Sequence, residues 1–159
     1  MIDTFRNSLQ KLVYPVSVIS GVINGKNFAI TISSLTSISF DPPSALACIN
    51  KDSSFTKFID VDVNVNINLL NSNQKNISNL CSNPNEIKNR FKNDIWTYDD
   101  KFGPYLAKSQ SIFFSKIDDL YSYGTHFIIV MKVLKVMNSS KIADPLLYGN
   151  QKYLNKIKF

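Results

Sequence analysis

Histidine is almost missing from this chain, and the gap narrows its chemistry at once. His126 is the only one in 159 residues. A histidine-based metal centre would need several remote acids or thiols to complete it, and the sequence shows no such cluster. Cysteine is equally scarce: Cys48 and Cys81 stand apart, without C-x-x-C spacing or a nearby histidine. That usage fits a reduced, cytoplasmic chain with two packed thiols. The five glycines are dispersed, so there is no P-loop, G-x-G-x-x-G or G-x-S-x-G. A hydrolase triad would have to use His126, but no serine or cysteine is marked as a nucleophile on a strained turn. The apolar run Phe127–Met131 is far short of the ~20 residues that cross a bilayer. The opening M-I-D-T-F-R carries an acid at its third position and no apolar region, so a secretory signal is not expected there. If the chain is an enzyme, a bound organic cofactor or co-substrate must carry the reaction.

Charge is present but unorganised. Eighteen Lys and Arg against twelve Asp and Glu give a net +6, and the lysines are scattered through an Asn-, Lys- and Ile-rich chain. No zinc spacing, RGG-like run or helix-turn-helix accompanies them, so nucleic acid is not the expected partner. A basic nucleic-acid-binding module remains only as a remote alternative, and a mild attraction for anionic ligands is the expectation. At 44% hydrophobic and 12% aromatic residues, the chain reads as one globular domain spanning 1–159. A chain of this size buries about 68–70% of its unfolded surface.

The stretch Ala29–Pro43, A-I-T-I-S-S-L-T-S-I-S-F-D-P-P, organises the rest. Ile30 and Ile32 fall on one face of a strand, and Ala29, Thr31 and Ser33 fall on the other. Ser34, Ser37 and Ser39 extend the hydroxyl supply through a bend, and Asp41-Pro42-Pro43 stops regular pairing. Small residues followed by uncharged donors and acceptors suit a planar ring with carbonyls and nitrogens on its rim. A solvated strand edge reads the same way.

Before this stretch, Asp3-Thr4 caps a short amphipathic helix with Phe5, Leu9 and Leu12 at helical spacing, ended by Pro15. Val16 and Val18 open a strand, and Asn24-Gly25 signals a hairpin. After it, S-A-L-A-C-I-N is a buried strand leading to a short helix, F-T-K-F-I, capped by Asp52 or Ser53. The start of that helix, beside Lys51, is either a plain cap or a phosphate seat. Val63–Leu69 alternates aliphatic residues with asparagine, which predicts one dry face and one wet face. A polar helix from Asn73 buries Ile77 and Leu80, and Pro84 restarts it with Ile87 and Phe91 inward. Trp96 is a core plug. Two long strands, Ser111–Ile117 and His126–Val136, and a turn at Gly149-Asn150 complete a mainly β chain with inserted helices. Many short strands without regular βα alternation predict a closed antiparallel barrel.

Taken in order, T-x-S-S-x-x-S-x-S-x-x-P-P (Thr31 to Pro43), N-K-D-S-S (Asn50 to Ser54), V-N-I-N-L-L-N-x-x-Q, N-R-F, G-T-H, P-L-L-Y and Tyr153 resemble the short-chain flavin reductase family. The resemblance runs from Phe5-Arg6 to Tyr153. It implies the FMN-binding split β-barrel fold, and a homodimer that binds FMN or FAD and reduces it with NADH or NADPH. It also implies a separate flavin-dependent monooxygenase as a partner. Position by position, Thr31, Ile32, Ser33 and Ser34, with Ser37 close behind, match the segment along the isoalloxazine ring. Asn50, Lys51, Ser53 and Ser54 match the segment around the ribityl phosphate. His126 matches the histidine of a G-D-H motif near the nicotinamide, and Tyr148 and Tyr153 flank that pocket. Arg90-Phe91 match a family pair by pattern alone. The chain departs from the family at Thr125, where aspartate is usual, and at Ala29, where glycine is common. A split-barrel protein that holds flavin with little nicotinamide activity is the alternative within the same fold.

Overall fold

A computed structural model describes residues 1–140 and 144–154. The elements run α1 (Ile2–Leu9), β1 (Val13–Pro15), β2 (Ser17–Ile23), β3 (Lys26–Ile32), β4 (Thr36–Phe40), β5 (Pro43–Asn50) and β6 (Asn64–Leu69). A 3-10 turn then leads into α2 (Lys75–Ser82), and a second covers Pro84–Asn89. β7 (Thr97–Asp99), β8 (Gly103–Tyr105), β9 (Ser111–Tyr123), β10 (His126–Asn138), β11 (Leu147–Gly149) and β12 (Lys152–Leu154) follow. The main sheet has seven strands in the order β3-β2-β6-β9-β10-β5-β4, with every described pairing antiparallel. It coils around a core that includes Ile19, Ile32, Ala47, Ile49, Val65, Ile67, Ile117, Ile129 and Met131. The predicted closure does not occur among the described residues: β3 and β4 are unpaired edges there, so the barrel is split.

The β2–β3 hairpin forms where the sequence places it. Asn24 and Gly25 have φ of 50° and 72°, the left-handed pair that matches strand twist in a two-residue turn. Ile32 and Ile30 pack on the barrel core, while Ala29 belongs to a second cluster with Val16, Val18, Leu70, Ile77, Cys81, Trp96 and Leu106. That cluster seats α2 against the outside of β2 and β3. Trp96 fills it as expected, 8% exposed, with its Nε1 donating to Arg90 O at 2.6 Å.

Several local expectations change. The hydroxyl-rich segment after β3 bends only at Ser33–Leu35 and then resumes as a strand, because Thr36–Phe40 pairs with β5. Residues 51–58 form turns and not the predicted helix. Phe55 and Thr56 are drawn into the interior, and Thr56 Oγ1 lies within hydrogen-bond reach of Lys51 O and Ser53 O, at 2.7 and 2.8 Å. A side chain that takes local carbonyls in this way competes with the helical ladder. α1 begins at Ile2 with Met1 as its cap and no side-chain cap bond, and it ends at Leu9, six residues before Pro15. Ile87 is exposed instead of inward, and Cys48 is exposed while Cys81 is buried.

The largest correction concerns β6. Its asparagine face is dry, with Asn66 and Asn68 both 0% exposed. The 102–106 segment lies over them, and its backbone together with β2 supplies the partners that water would have supplied, save that Asn66 Oδ1 has none among the described residues. Asn66 Nδ2 donates to Phe102 O and Pro104 O, both at 2.8 Å. Asn68 Nδ2 donates to Val18 O at 2.9 Å and Ser20 Oγ at 3.0 Å, while Asn68 Oδ1 accepts from Leu106 N at 2.8 Å. Buried amides are tolerated on these terms.

Candidate functional site

A cleft of about 490 Å³ opens where β3 ends. Thr31, Ile32 and Ser33 line one side, Lys75, Ser78, Asn79 and Ser82 of α2 the second, and Tyr148, Gln151, Lys152 and Tyr153 the third. The α2 residues are spaced i, i+3, i+4, i+7, so they share one helical face. The outward face of β3 and this face of α2 are joined by Thr31 Oγ1 donating to Ser78 O at 2.7 Å. The Thr31 hydroxyl proton is therefore committed, leaving its lone pairs to accept. Tyr153 OH and Ser78 Oγ share a hydrogen bond of 2.8 Å. The Tyr148 and Tyr153 rings meet edge to face, 5.3 Å between centroids, and Lys75 Nζ sits 5.4 Å from the Tyr153 ring centre. Ser33, Asn79 and Gln151 hold no side-chain hydrogen bond among the described residues, so their donors and acceptors are available. The lining carries two lysines and no carboxylate, which favours an anionic or electron-rich ligand.

A second group of candidate residues gathers where β5 ends. The ladder pairs His126 with Asn50, and Lys51 N donates to Thr125 O at 3.0 Å. His126 is exposed, and its Nδ1 lies 2.9 Å from Thr125 Oγ1, so a hydroxyl stands where a carboxylate was usual. Lys51 Nζ donates to Ser122 Oγ at 2.6 Å and Gly124 O at 2.7 Å. Asn50 Oδ1 accepts from Asp52 N at 2.8 Å, and Ser53 Oγ from Phe55 N at 3.3 Å. These are turn-forming bonds, and the helix N-terminus that would have seated a phosphate is not there. Ser54 lines a separate, mainly apolar cavity of about 350 Å³ with Phe28, Phe55, Phe58, Arg90 and Phe91.

The two groups are linked by Ser34. Its hydroxyl accepts from Cys48 N at 3.0 Å and donates to Cys48 O at 2.9 Å, extending the strand-like pairing two residues short of Asn50. Ser37 is elsewhere, lining an apolar cavity of about 430 Å³ with Leu35, Phe40, Leu69 and Phe113. The cleft residues that sequence reading missed are Lys75, Ser78, Asn79, Ser82, Gln151 and Lys152. The four on α2 were signalled by their helical spacing, but nothing local says that this polar face meets β3.

Arg90 is 6% exposed and pairs with no acid among the described residues. It donates to Ala29 O at 2.6 Å, Asn83 O at 2.9 Å and Leu80 O at 3.3 Å, gathering carbonyls at the end of α2 where a cation is favoured. Burial lowers its proton affinity, opposed by neighbouring Cys81. Burial likewise pushes the Cys81 thiol from 9.0 up to about 12, against a smaller pull from the Arg90 charge. Both are structural groups joining β3, α2 and Trp96.

Known proteins resemble this chain along nearly its whole length. A family model described as flavin reductase like domain matches residues 9–156. The reductase component of an FADH(2)-dependent resorcinol hydroxylase from Rhizobium sp. is 26% identical over 153 residues, 95% of this chain and 85% of that one. An FMN reductase (NADH), RutF, from Pseudomonas syringae is 27% identical over 150 residues, covering 94% and 83%. A flavin reductase domain protein from Arthrobacter sp. has the same fold, with a TM-score of 0.91 at 21% identity over 100% of this chain and 98% of the other. With the family model spanning all but the two ends, this chain belongs to the flavin reductase like domain family.

Proposed function

We propose that the protein transfers hydride from NADH or NADPH to FMN or FAD, using the cleft at Thr31–Ser33 to hold the flavin ring. The observation that carries this reading is the cleft itself: uncharged hydroxyls and amides, two tyrosines, lysines at the margin and no carboxylate. Its volume lies within the roughly 300–1,000 Å³ of cofactor pockets. The donor set fits a flavin. Ser33, Asn79 and Gln151 offer free polar groups, the Thr31 lone pairs can accept, and Ile32, Tyr148 and Tyr153 supply apolar surface for a ring. In this reading Ser34 fixes the strand end against β5. The family resemblance puts Ser53 and Ser54 toward the phosphate from the 51–58 turns, outside the cleft and with Ser54 in the neighbouring cavity, while Ser37 has no direct role. Bound flavin would supply the hydride acceptor, and the protein's part is to bind, orient and exclude water.

Family membership supports the same reading, together with relatives named as reductases. By the same analogy the protein acts in the cytoplasm as a single-domain homodimer that hands reduced flavin to a separate monooxygenase. An uncovered apolar face on α1 supports the dimer: Ile2, Phe5 and Leu9 are 71%, 64% and 42% exposed, and no residue of the helix is buried. Anaerobic stopped-flow mixing of the protein with each flavin and each nicotinamide tests the reading. Rapid bleaching of flavin absorbance is expected, and saturable flavin binding without bleaching would leave only a flavin-holding role. One observation favours that second role: His126 is exposed, does not line the cleft, and meets a hydroxyl.

A further inference from the structure

The turn that presents His126 has almost no packing of its own. Residues 121–126 are all exposed, and Gly124 sits at φ 52° with open space around it. The β9–β10 and β5–β10 ladders hold the backbone as far as His126, but no buried surface fixes the side chains of the turn. Lys51, just past the end of β5, adds a side-chain restraint to the ladders that end at His126. Its backbone N–H donates to Thr125 O, its ammonium donates to Ser122 Oγ and Gly124 O at 2.6 and 2.7 Å, and it lies 5.4 Å from the Phe127 ring centre. One side chain thus touches the residues before, within and after the turn.

We infer that Lys51 is a positioning residue for His126, and not a ligand of the flavin phosphate. The inference rests on the flavin reductase reading, in which His126 helps to place the nicotinamide. Two of its three ammonium protons are committed to Ser122 Oγ and Gly124 O, so a phosphate that drew the ammonium away from them would free the side chains of the turn that carries the histidine. Held where it is, Lys51 ties the end of β5 to the β9–β10 turn, so that the two sides of the reaction share one rigid joint.

Because His126 is the only histidine, its imidazole C–H gives a single proton NMR signal that reports the turn without any cofactor. In Lys51→Met, which keeps the aliphatic stem and removes the ammonium, that signal should move toward its position in the urea-unfolded chain, while the far-UV circular dichroism stays the same. Ser122→Ala, which removes one acceptor at an exposed site, should shift it less and in the same direction. The ratio of FMN to riboflavin affinity should match wild type in Lys51→Met. Its single-turnover bleaching by NADH should fall about tenfold to a hundredfold, since misplacing a reacting group by ~1 Å costs about a hundredfold. An unmoved imidazole signal in both variants overturns the inference. So does a loss of FMN affinity that riboflavin does not share, because that pattern marks a phosphate ligand. If wild-type protein never bleaches flavin, the reductase reading fails, and the imidazole signal alone still decides whether Lys51 holds the turn.

Discussion

Asn68 offers the most direct test of how this barrel is held together. If β6 had a solvated face, Asn68→Leu would alter stability by no more than about 0.5 kcal/mol, as surface changes do. In the folded chain the substitution leaves the Leu106 N–H, in a residue 2% exposed, without its acceptor, and removes two donated bonds to Val18 O and Ser20 Oγ. An orphaned buried group costs about 1–3 kcal/mol and each lost bond about 0.5–1.5, so a loss of roughly 2–6 kcal/mol is expected. Against a typical total of about 5–15 kcal/mol this is a severe change. It corresponds to a melting point lower by roughly 5–20 °C for a chain of this size. Asn64→Ser is the matched control, because Asn64 is only half-buried and makes one bond of 3.2 Å to Lys101 O. It should cost less than about 1.5 kcal/mol. Urea titration and thermal melts of both variants give the comparison. An Asn68→Leu protein as stable as the Asn64→Ser control would refute the idea that the amide ladder anchors the 102–106 segment.

His126→Ala should slow single-turnover bleaching by about a hundredfold and leave both flavin affinity and melting temperature near wild type; a lowered melting point with an intact rate would make the histidine structural. Ser53→Ala combined with Ser54→Ala should weaken FMN binding but not riboflavin binding, each lost charge-assisted bond being worth about 1.5–3 kcal/mol; equal affinities in a folded double variant would remove both hydroxyls from the phosphate site. A thiol reagent at pH 8 should label Cys48 in the native protein and Cys81 only after unfolding, since the Cys81 thiol is buried and raised to about 12. Because its folded value lies above the ordinary 9.0, the stability linked to Cys81 is intact below about pH 9 and is lost as pH rises toward 12. Light scattering should report a dimer, and a monomer mass independent of concentration would count against a second copy covering the α1 face.

Much of the fold was readable because its signals are local. The period of two in Ala29–Ser33 placed Ile30 and Ile32 inward and Thr31 outward, and Asn24-Gly25 marked its own turn. Both depend only on backbone geometry that neighbouring residues dictate. Failures came wherever a distant segment changed a residue's surroundings. The Asn66 and Asn68 side chains look solvated until the 102–106 segment, almost forty positions later, covers them. Ser53 and Thr56 look like the start of a helix, but burial of Phe55 in the barrel outweighs that preference. For the candidate site, Thr31–Ser33 and the two tyrosines were singled out by their order in the chain and line one cleft, whereas Ser34 pairs with Cys48 instead. The α2 face opposite them was not found, because asparagine, serine and lysine on a short helix carry no mark of which strand they will face.

The split in the barrel leaves two strand edges, and they are not equally protected. On β3 the Ala29 carbonyl is occupied by the Arg90 guanidinium, and α2 stands beside it. An incoming strand would have to displace a buried cation. β4 has no such guard. It contains neither lysine nor proline, and its Ile38 and Phe40 are 48% and 93% exposed. Unprotected apolar edges recruit further strands, so concentrated samples should associate through β4 and not through β3. A lysine in place of Ile38 is then the natural change to keep the protein dispersed, and the buried Arg90 beside β3 explains why that edge needs none.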